Sequence, residues 1–181
     1  MNKLVENENF NDVSPIFLPH LQGERAPLWN PNLKGIFYGM NSTTNKGNLA
    51  RSVYEGVSFS AKLILESLEK SSSCINEEIN CGGGGFQADI WNQIRANILN
   101  KKINRLSIKD PGILGSVGIA GYGSGTFSNI DEAFNEMTNF DKFYEPDQTM
   151  KNYYSDLYEI FKNITESNIK IGEKFSKFSR N

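Results

Sequence analysis

The residues best suited to chemistry are four consecutive glycines, Gly82, Gly83, Gly84 and Gly85. Lacking a Cβ, glycines let a chain turn sharply and let a ligand lie close against the main chain. Residues 75–81 precede them, and there Ile79 and Cys81 can point the same way in a strand. After them, Trp91, Ile94 and Ile98 fall on one helical face, with Asp89 near the helix start, where a carboxylate can accept from free backbone N–H groups. Strand, glycine turn and helix in that order bring unpaired N–H groups and the positive end of a helix dipole to one place, which suits a nucleotide. A tight turn with no ligand accounts for the same glycines equally well.

Other chemistry has little to work with. His20, beside Pro19, is the only histidine, so a nucleophile–histidine–acid triad or a multi-histidine metal site would have to be built around it. Cys74 and Cys81 have neither zinc-ligand nor disulfide-framework spacing and read as ordinary reduced thiols. No GxxxxGK[ST] phosphate loop occurs, and Gly121, Gly123 and Gly125 lack the spacing of a dinucleotide fingerprint. The 19 basic and 21 acidic side chains leave a net charge of -2, which gives no general attraction for nucleic acid or an anionic membrane. No apolar run approaches the roughly 20 residues that cross a bilayer, and the polar start has no hydrophobic signal region, so a cytoplasmic protein is expected.

The elements that must position the glycines come next. At 181 residues and 38% hydrophobic content, one domain with its own core is expected. Residues 1–15 read as a polar, solvated lead-in outside the core, and 16–181 as the domain. An extended segment broken by Pro19, a turn region with Pro27 and Pro31, and a short strand over 35–40 follow. Over 48–70, Leu49, Val53, Val57, Ile64 and Leu68 recur as the apolar face of a helix. Residues 103–108 resemble a strand, and Asp110, Pro111 and Gly112 a turn. Gly112, Gly115, Gly118 and Gly121, spaced by three, suggest a helix whose glycine ridge approaches another backbone closely. This would offset a cost of up to roughly 1 kcal/mol per interior glycine. A short helix over 131–137 precedes a longer one carrying Met150, Tyr153, Tyr154, Leu157, Phe161 and Ile164. The alternation after residue 48 argues for α/β or α+β architecture.

Taken together, GERAPLWNPNLKGIFYGM, NLARSVYEGVSF, CGGGGFQADIWNQIRANIL and ILGSVGIAGYGSGTF, in this order, resemble the C-terminal half of FGGY-family carbohydrate kinases. The resemblance runs from about Ile16 to the last helix. It implies an α/β, ribonuclease-H-like (actin-like ATPase) C-terminal domain, N-terminally incomplete, in a kinase that closes around ATP and a polyol, sugar or sugar acid and transfers phosphate with Mg2+. It further implies that Gly83, Gly84 and Gly85 form the adenosine wall of the ATP site. Family members often carry Ser or Asn where this chain has Ala88, so a side-chain bond to the nucleotide is absent or moved to Gln87 or Asp89. The resemblance places the general base and most of the sugar site in an N-terminal domain outside this sequence, so the isolated chain is expected to be inactive. Gluconate is favoured as substrate over xylulose, and self-association through the surface where that domain docks is a further expectation. Glu24 and Arg25 read as turn-fixing or salt-bridging groups, Arg51 and Glu55 as a helical pair, Gly115 and Gly118 as packing residues, and Trp91 as core.

Overall fold

The computed structural model describes residues 1–8 and 13–178. Six helices and five strands run in the order α1 (Asn2–Glu6), β1 (Ile16–Leu18), β2 (Ile36–Tyr38), α2 (Lys46–Ser72), β3 (Glu78–Cys81), α3 (Asp89–Leu99), β4 (Lys102–Leu106), α4 (Pro111–Gly123), α5 (Ile130–Met137), β5 (Phe140–Tyr144) and α6 (Lys151–Ser176).

Strands β3 and β4 are parallel, joined through α3, with Ile79 opposite Ile103. Strand β5 adds antiparallel to β4, setting Ile103 opposite Tyr144. The sheet order is therefore β3-β4-β5, and β1 and β2 form a separate antiparallel pair. A buried cluster of Cys81, Ala96, Ile103 and Tyr144 packs α3 on the sheet. The larger core joins α2, α3 and α6 through Tyr54, Phe59, Ile94, Ile98, Tyr154, Leu157 and Phe161. The aromatic stripe of the last helix is thus core, as its spacing implies.

Helix α2 begins at a reciprocal cap. The Asn45 side chain accepts from the amides of Gly47 and Asn48 at 2.6 and 2.9 Å, and Asn48 accepts in return from the Asn45 amide at 3.0 Å. The helix is where expected, but the face it buries is not. Leu49, Val53 and Val57 are only half-buried, and Ile64 and Leu68 are exposed. Ala50, Arg51, Tyr54, Glu55, Ser58 and Phe59 face inward instead. The polar members of that face satisfy one another or the helix carbonyls, as Ser58 Oγ does by donating to the Tyr54 carbonyl at 2.7 Å, so burial does not strand them. Gly56 allows α2 to lie against β1, because a Cβ there would collide with the Phe17 carbonyl.

Three further expectations are corrected. Residues 1–8 are not a solvated lead-in, and 9–12 of the expected 1–15 lie outside the described residues: α1 inserts fully buried Val5 into the main core, Asn2 accepts from the Tyr54 hydroxyl, and Glu8 accepts from Asn48 Nδ2 at 2.6 Å. Asp110, Pro111 and Gly112 open α4 and do not form a separate turn. Asp110 accepts from the Gly112 amide at 2.9 Å and Pro111 occupies the first turn, where its missing N–H costs nothing. The glycine ridge of α4 does not meet a backbone. Gly118 packs on the side chains of Met137 and Ala133 in α5, whereas Gly115 faces open space.

Candidate functional site

Each glycine of the turn after β3 has a different local reason. A Cβ on Gly82 would come within 2.5 Å of the Pro111 ring and 3.0 Å of Leu106, so only glycine fits under the start of α4. Gly83 has φ +95°, a conformation closed to most L-residues. Gly84 begins a 3-10 turn that runs to Phe86, and no atom would meet a Cβ on Gly83 or Gly84 within 4 Å. The amide of Phe86 returns to the Gly83 carbonyl at 3.1 Å and that of Gln87 to the Gly84 carbonyl at 3.4 Å. Among the described residues the Gly84 and Gly85 amides have no acceptor, and Gly84 and Gly85 are exposed. Helix α3 follows Ala88, which offers no capping side chain, so among the described residues its first N–H groups remain available as well. The result is an open, Cβ-free backbone surface with N–H donors, able to accept a polar or anionic group at close range.

Beneath the turn, α3 supplies a brace. Arg95 Nη1 donates to the Gly85 carbonyl at 2.8 Å and to Asn92 Oδ1 at 2.9 Å, while Asn92 Nδ2 donates to the Phe86 carbonyl at 2.8 Å. The Arg95 guanidinium lies 4.2 Å from the Phe86 ring centre and 3.8 Å from that of Trp91. Trp91 in turn stacks on Tyr54 of α2, ring centres 4.4 Å apart and planes 6° from parallel. Its indole N–H donates to the Tyr54 carbonyl at 3.1 Å. A stack of planar groups therefore connects the turn to the main core.

Asp89 lies at the first position of α3, but its carboxylate does not cap the helix. It accepts from Tyr144 Oη at 2.7 Å, Lys142 Nζ at 2.5 Å and Arg105 Nη1 at 3.2 Å. Arg105 simultaneously grips Asp141 through Nε at 2.8 Å and Nη2 at 2.6 Å. The bonds from Lys142 and Tyr144 hold the Asp89 carboxyl below the ordinary aspartate range, and the Arg105 bonds do the same for Asp141. These contacts tie the start of α3 to β4 and β5. Gln87, by contrast, is exposed and makes only a long 3.5 Å contact to the Gly83 carbonyl, which leaves its amide free to turn toward a ligand.

Glu24 accepts from the Leu28 amide at 2.8 Å and so fixes its turn. Arg51 and Glu55 pair at 2.8 Å with their side chains 0% and 4% exposed, and Tyr153 and Tyr154 of α6 bond to them. Burial pushes the Glu55 carboxyl up. His20 is buried beside Phe161, and burial lowers its pKa. Both thiols are free, and burial pushes Cys81 up to about 11. A cleft of about 530 Å³ lined by Glu78, Lys101, Lys102 and Glu145 lies at the opposite end of β3 from the glycines, where Lys102 already pairs with Glu78. Sequence reasoning found the glycines but missed Arg95, Asn92 and Phe86. The one available signal was the i, i+4 spacing of Trp91 and Arg95 on a helix.

The chain is a mixed α/β domain in which a strand ends in a glycine turn against a helix start. Residues 6–124 match the C-terminal domain of the FGGY family of carbohydrate kinases, and the chain belongs to that family. A xylulose kinase of Staphylococcus epidermidis (strain ATCC 35984 / DSM 28319 / BCRC 17069 / CCUG 31568 / BM 3577 / RP62A) is 28% identical over 171 residues, covering 88% of this chain and 34% of the relative. Among solved structures, a gluconate kinase from Lactobacillus acidophilus superposes with a TM-score of 0.85 at 28% identity, covering 96% of this chain and 35% of that one. A ligand-bound xylulose kinase from the same organism gives 0.86 at 28% identity, with the same shares of the two chains covered. The fold is thus the actin-like, ribonuclease-H-like ATPase fold of this family. The chain spans about a third of the length of the relatives it matches. Among the described residues, no helix is long and apolar enough to cross a membrane.

Proposed function

We propose that these residues form the adenosine side of the ATP site of a carbohydrate kinase, with Gly83, Gly84 and Gly85 as the wall against which the nucleotide lies. The observation that carries this reading is the bare turn itself, whose Gly84 and Gly85 amides lack partners among the described residues and whose Cβ-free face leaves room for a ligand. Gln87 is the side chain free to bond the nucleotide. Asp89 contributes by anchoring the start of α3, since its carboxylate already serves three donors. Mg2+ would enter with the ATP phosphates, in keeping with its habit of binding through substrate phosphates and retained waters. ATP supplies the phosphoryl group when bound, and the turn orients its adenosine end.

Phosphoryl transfer requires nucleophile, base, metal and terminal phosphate in line. The residues gathered at the turn bind and orient but supply no base, so we propose that the 181-residue chain binds nucleotide without turning it over. The substrate class is a sugar or sugar acid, with gluconate favoured. The GERAPLWN segment and the likeness to the Lactobacillus acidophilus gluconate kinase support that choice, and the likeness to xylulose kinases makes xylulose the competing substrate. We place this activity in the cytoplasm, where ATP is supplied.

Calorimetric titration of the chain with ADP and ATP, with and without Mg2+, tests the site. Saturable binding is expected, together with its loss in Gly84→Val, whose Cβ would enter the ligand space with no protein atom within 4 Å. Binding unchanged by that substitution would move the site elsewhere. Addition of an N-terminal half from a related kinase, followed by assay against gluconate and xylulose, separates the two substrates.

A further inference from the structure

Arg95 is a cation of unusual placement. It is 8% exposed, and no carboxylate among the described residues pairs with it. A buried charge without an opposite partner is costly, and a Met or Leu would fill the same space between aromatic rings more cheaply. Two carbonyl-type acceptors and two ring faces partly replace its hydration. Its positive charge is left unneutralised directly behind the glycine turn, where Nη2 lies 3.9 Å from the position a Cβ on Gly85 would take. Because the guanidinium is buried, its charge reaches the turn with less screening than it would have in bulk water.

We propose that Arg95 is a positioning residue for the turn: its bond to the Gly85 carbonyl and its stacking on Phe86 hold residues 83–87 in their ligand-receiving shape, and its charge biases the turn toward an anionic nucleotide over a neutral nucleoside. This rests on the reading of the turn as the nucleotide wall. The bracing and the charge make separate contributions. Arg95→Met keeps an apolar stem against Trp91 but removes both; Arg95→Lys keeps the charge and a single donor nitrogen.

The test uses the whole chain and two readouts. The first is hydrogen exchange at the Phe86 and Gln87 amides, whose bonds to Gly83 and Gly84 close the turn. In Arg95→Met these are expected to exchange at least about tenfold faster, with the amides around Phe161 in α6 unchanged, as for a local opening. Unchanged exchange at Phe86 and Gln87 would overturn the bracing role. The second readout is the ratio of ADP to adenosine affinity by calorimetry. Arg95→Met is expected to weaken ADP several-fold more than adenosine, and Arg95→Lys to restore the ratio. A purely structural role would lower both affinities together without rescue by Lys, and that result would overturn the charge bias. If the unsubstituted chain binds neither ligand, the nucleotide reading of the turn fails and the charge bias fails with it, while the exchange result still decides the bracing role.

Discussion

Arg51 and Glu55 pair at 2.8 Å inside the core, one turn apart on α2, with the Tyr154 hydroxyl closing on Glu55 Oε1 at 3.2 Å. The pair lies where α2 meets α6, so its loss leaves a charge buried between two helices. Glu55→Ala is expected to destabilise the chain by about 3–5 kcal/mol, as for a buried pair that loses one member. The double substitution Arg51→Met, Glu55→Leu should recover part of that loss. Urea unfolding of the three chains checks both statements; a single-variant loss below about 1 kcal/mol would mean the pair is solvated.

Two helical glycines should respond to alanine in opposite directions. Gly115 sits inside α4 with open space where a Cβ would go, so Gly115→Ala is expected to stabilise by up to about 1 kcal/mol through helix propensity. Gly56→Ala would drive a methyl into the Phe17 carbonyl and should destabilise, separating α2 from β1. Thermal melts of the pair provide the check, and a Gly56→Ala chain as stable as the parent would contradict the close approach.

Acid should loosen the tie between α3 and β5. Asp89 and Asp141 have folded-state pKa values held below the ordinary aspartate value of 3.8, by bonds from Lys142 and Tyr144 and from Arg105 respectively. A lowered carboxyl pKa stabilises the fold at pH values above 3.8, and that contribution is lost as pH falls through the lower folded value. Carboxyl carbon NMR titration should find both groups below 3.8, with Arg105→Met moving Asp141 back up. An Asp141 that titrates at its ordinary value in the parent chain would remove the basis for this expectation.

The two thiols should differ in reactivity. Cys74 is exposed, whereas Cys81 is buried with its pKa pushed up to about 11, which leaves little thiolate at neutral pH. Alkylation of the folded chain at pH 8 should modify Cys74 alone, and Cys81 only after denaturation. Equal labelling in mass spectra of the folded chain would show β3 to be open.

Much of this was legible in the sequence where one residue type has one physical use. The glycine turn was readable because sharp turning and close approach both select glycine, and α6 because Tyr154, Leu157 and Phe161 repeat at helical spacing. Helix α2 was visible but its inward face was not. Arg51 and Glu55 read as a helical pair, but their spacing does not show that the pair is buried, and the apolar Ile64 and Leu68 that look like core are exposed. Strand β5 escaped because its charged Asp141 and Lys142 break the alternation that marks a half-buried strand, and their use, to hold Arg105 and Asp89, is tertiary. Val5 escaped because one apolar side chain among polar neighbours gives no periodicity. Arg95 escaped for the converse reason, since an arginine on a helix is ordinarily a surface residue.

A Cβ at Gly82 would collide with the Pro111 ring, and the Gly85 carbonyl is held by Arg95 at 2.8 Å, so the turn is a short span with a fixed abutment at each end. Such a span has little freedom left to lose. A nucleotide settling on it would meet a surface already shaped, and its affinity would reflect contact more than the ordering of loose chain.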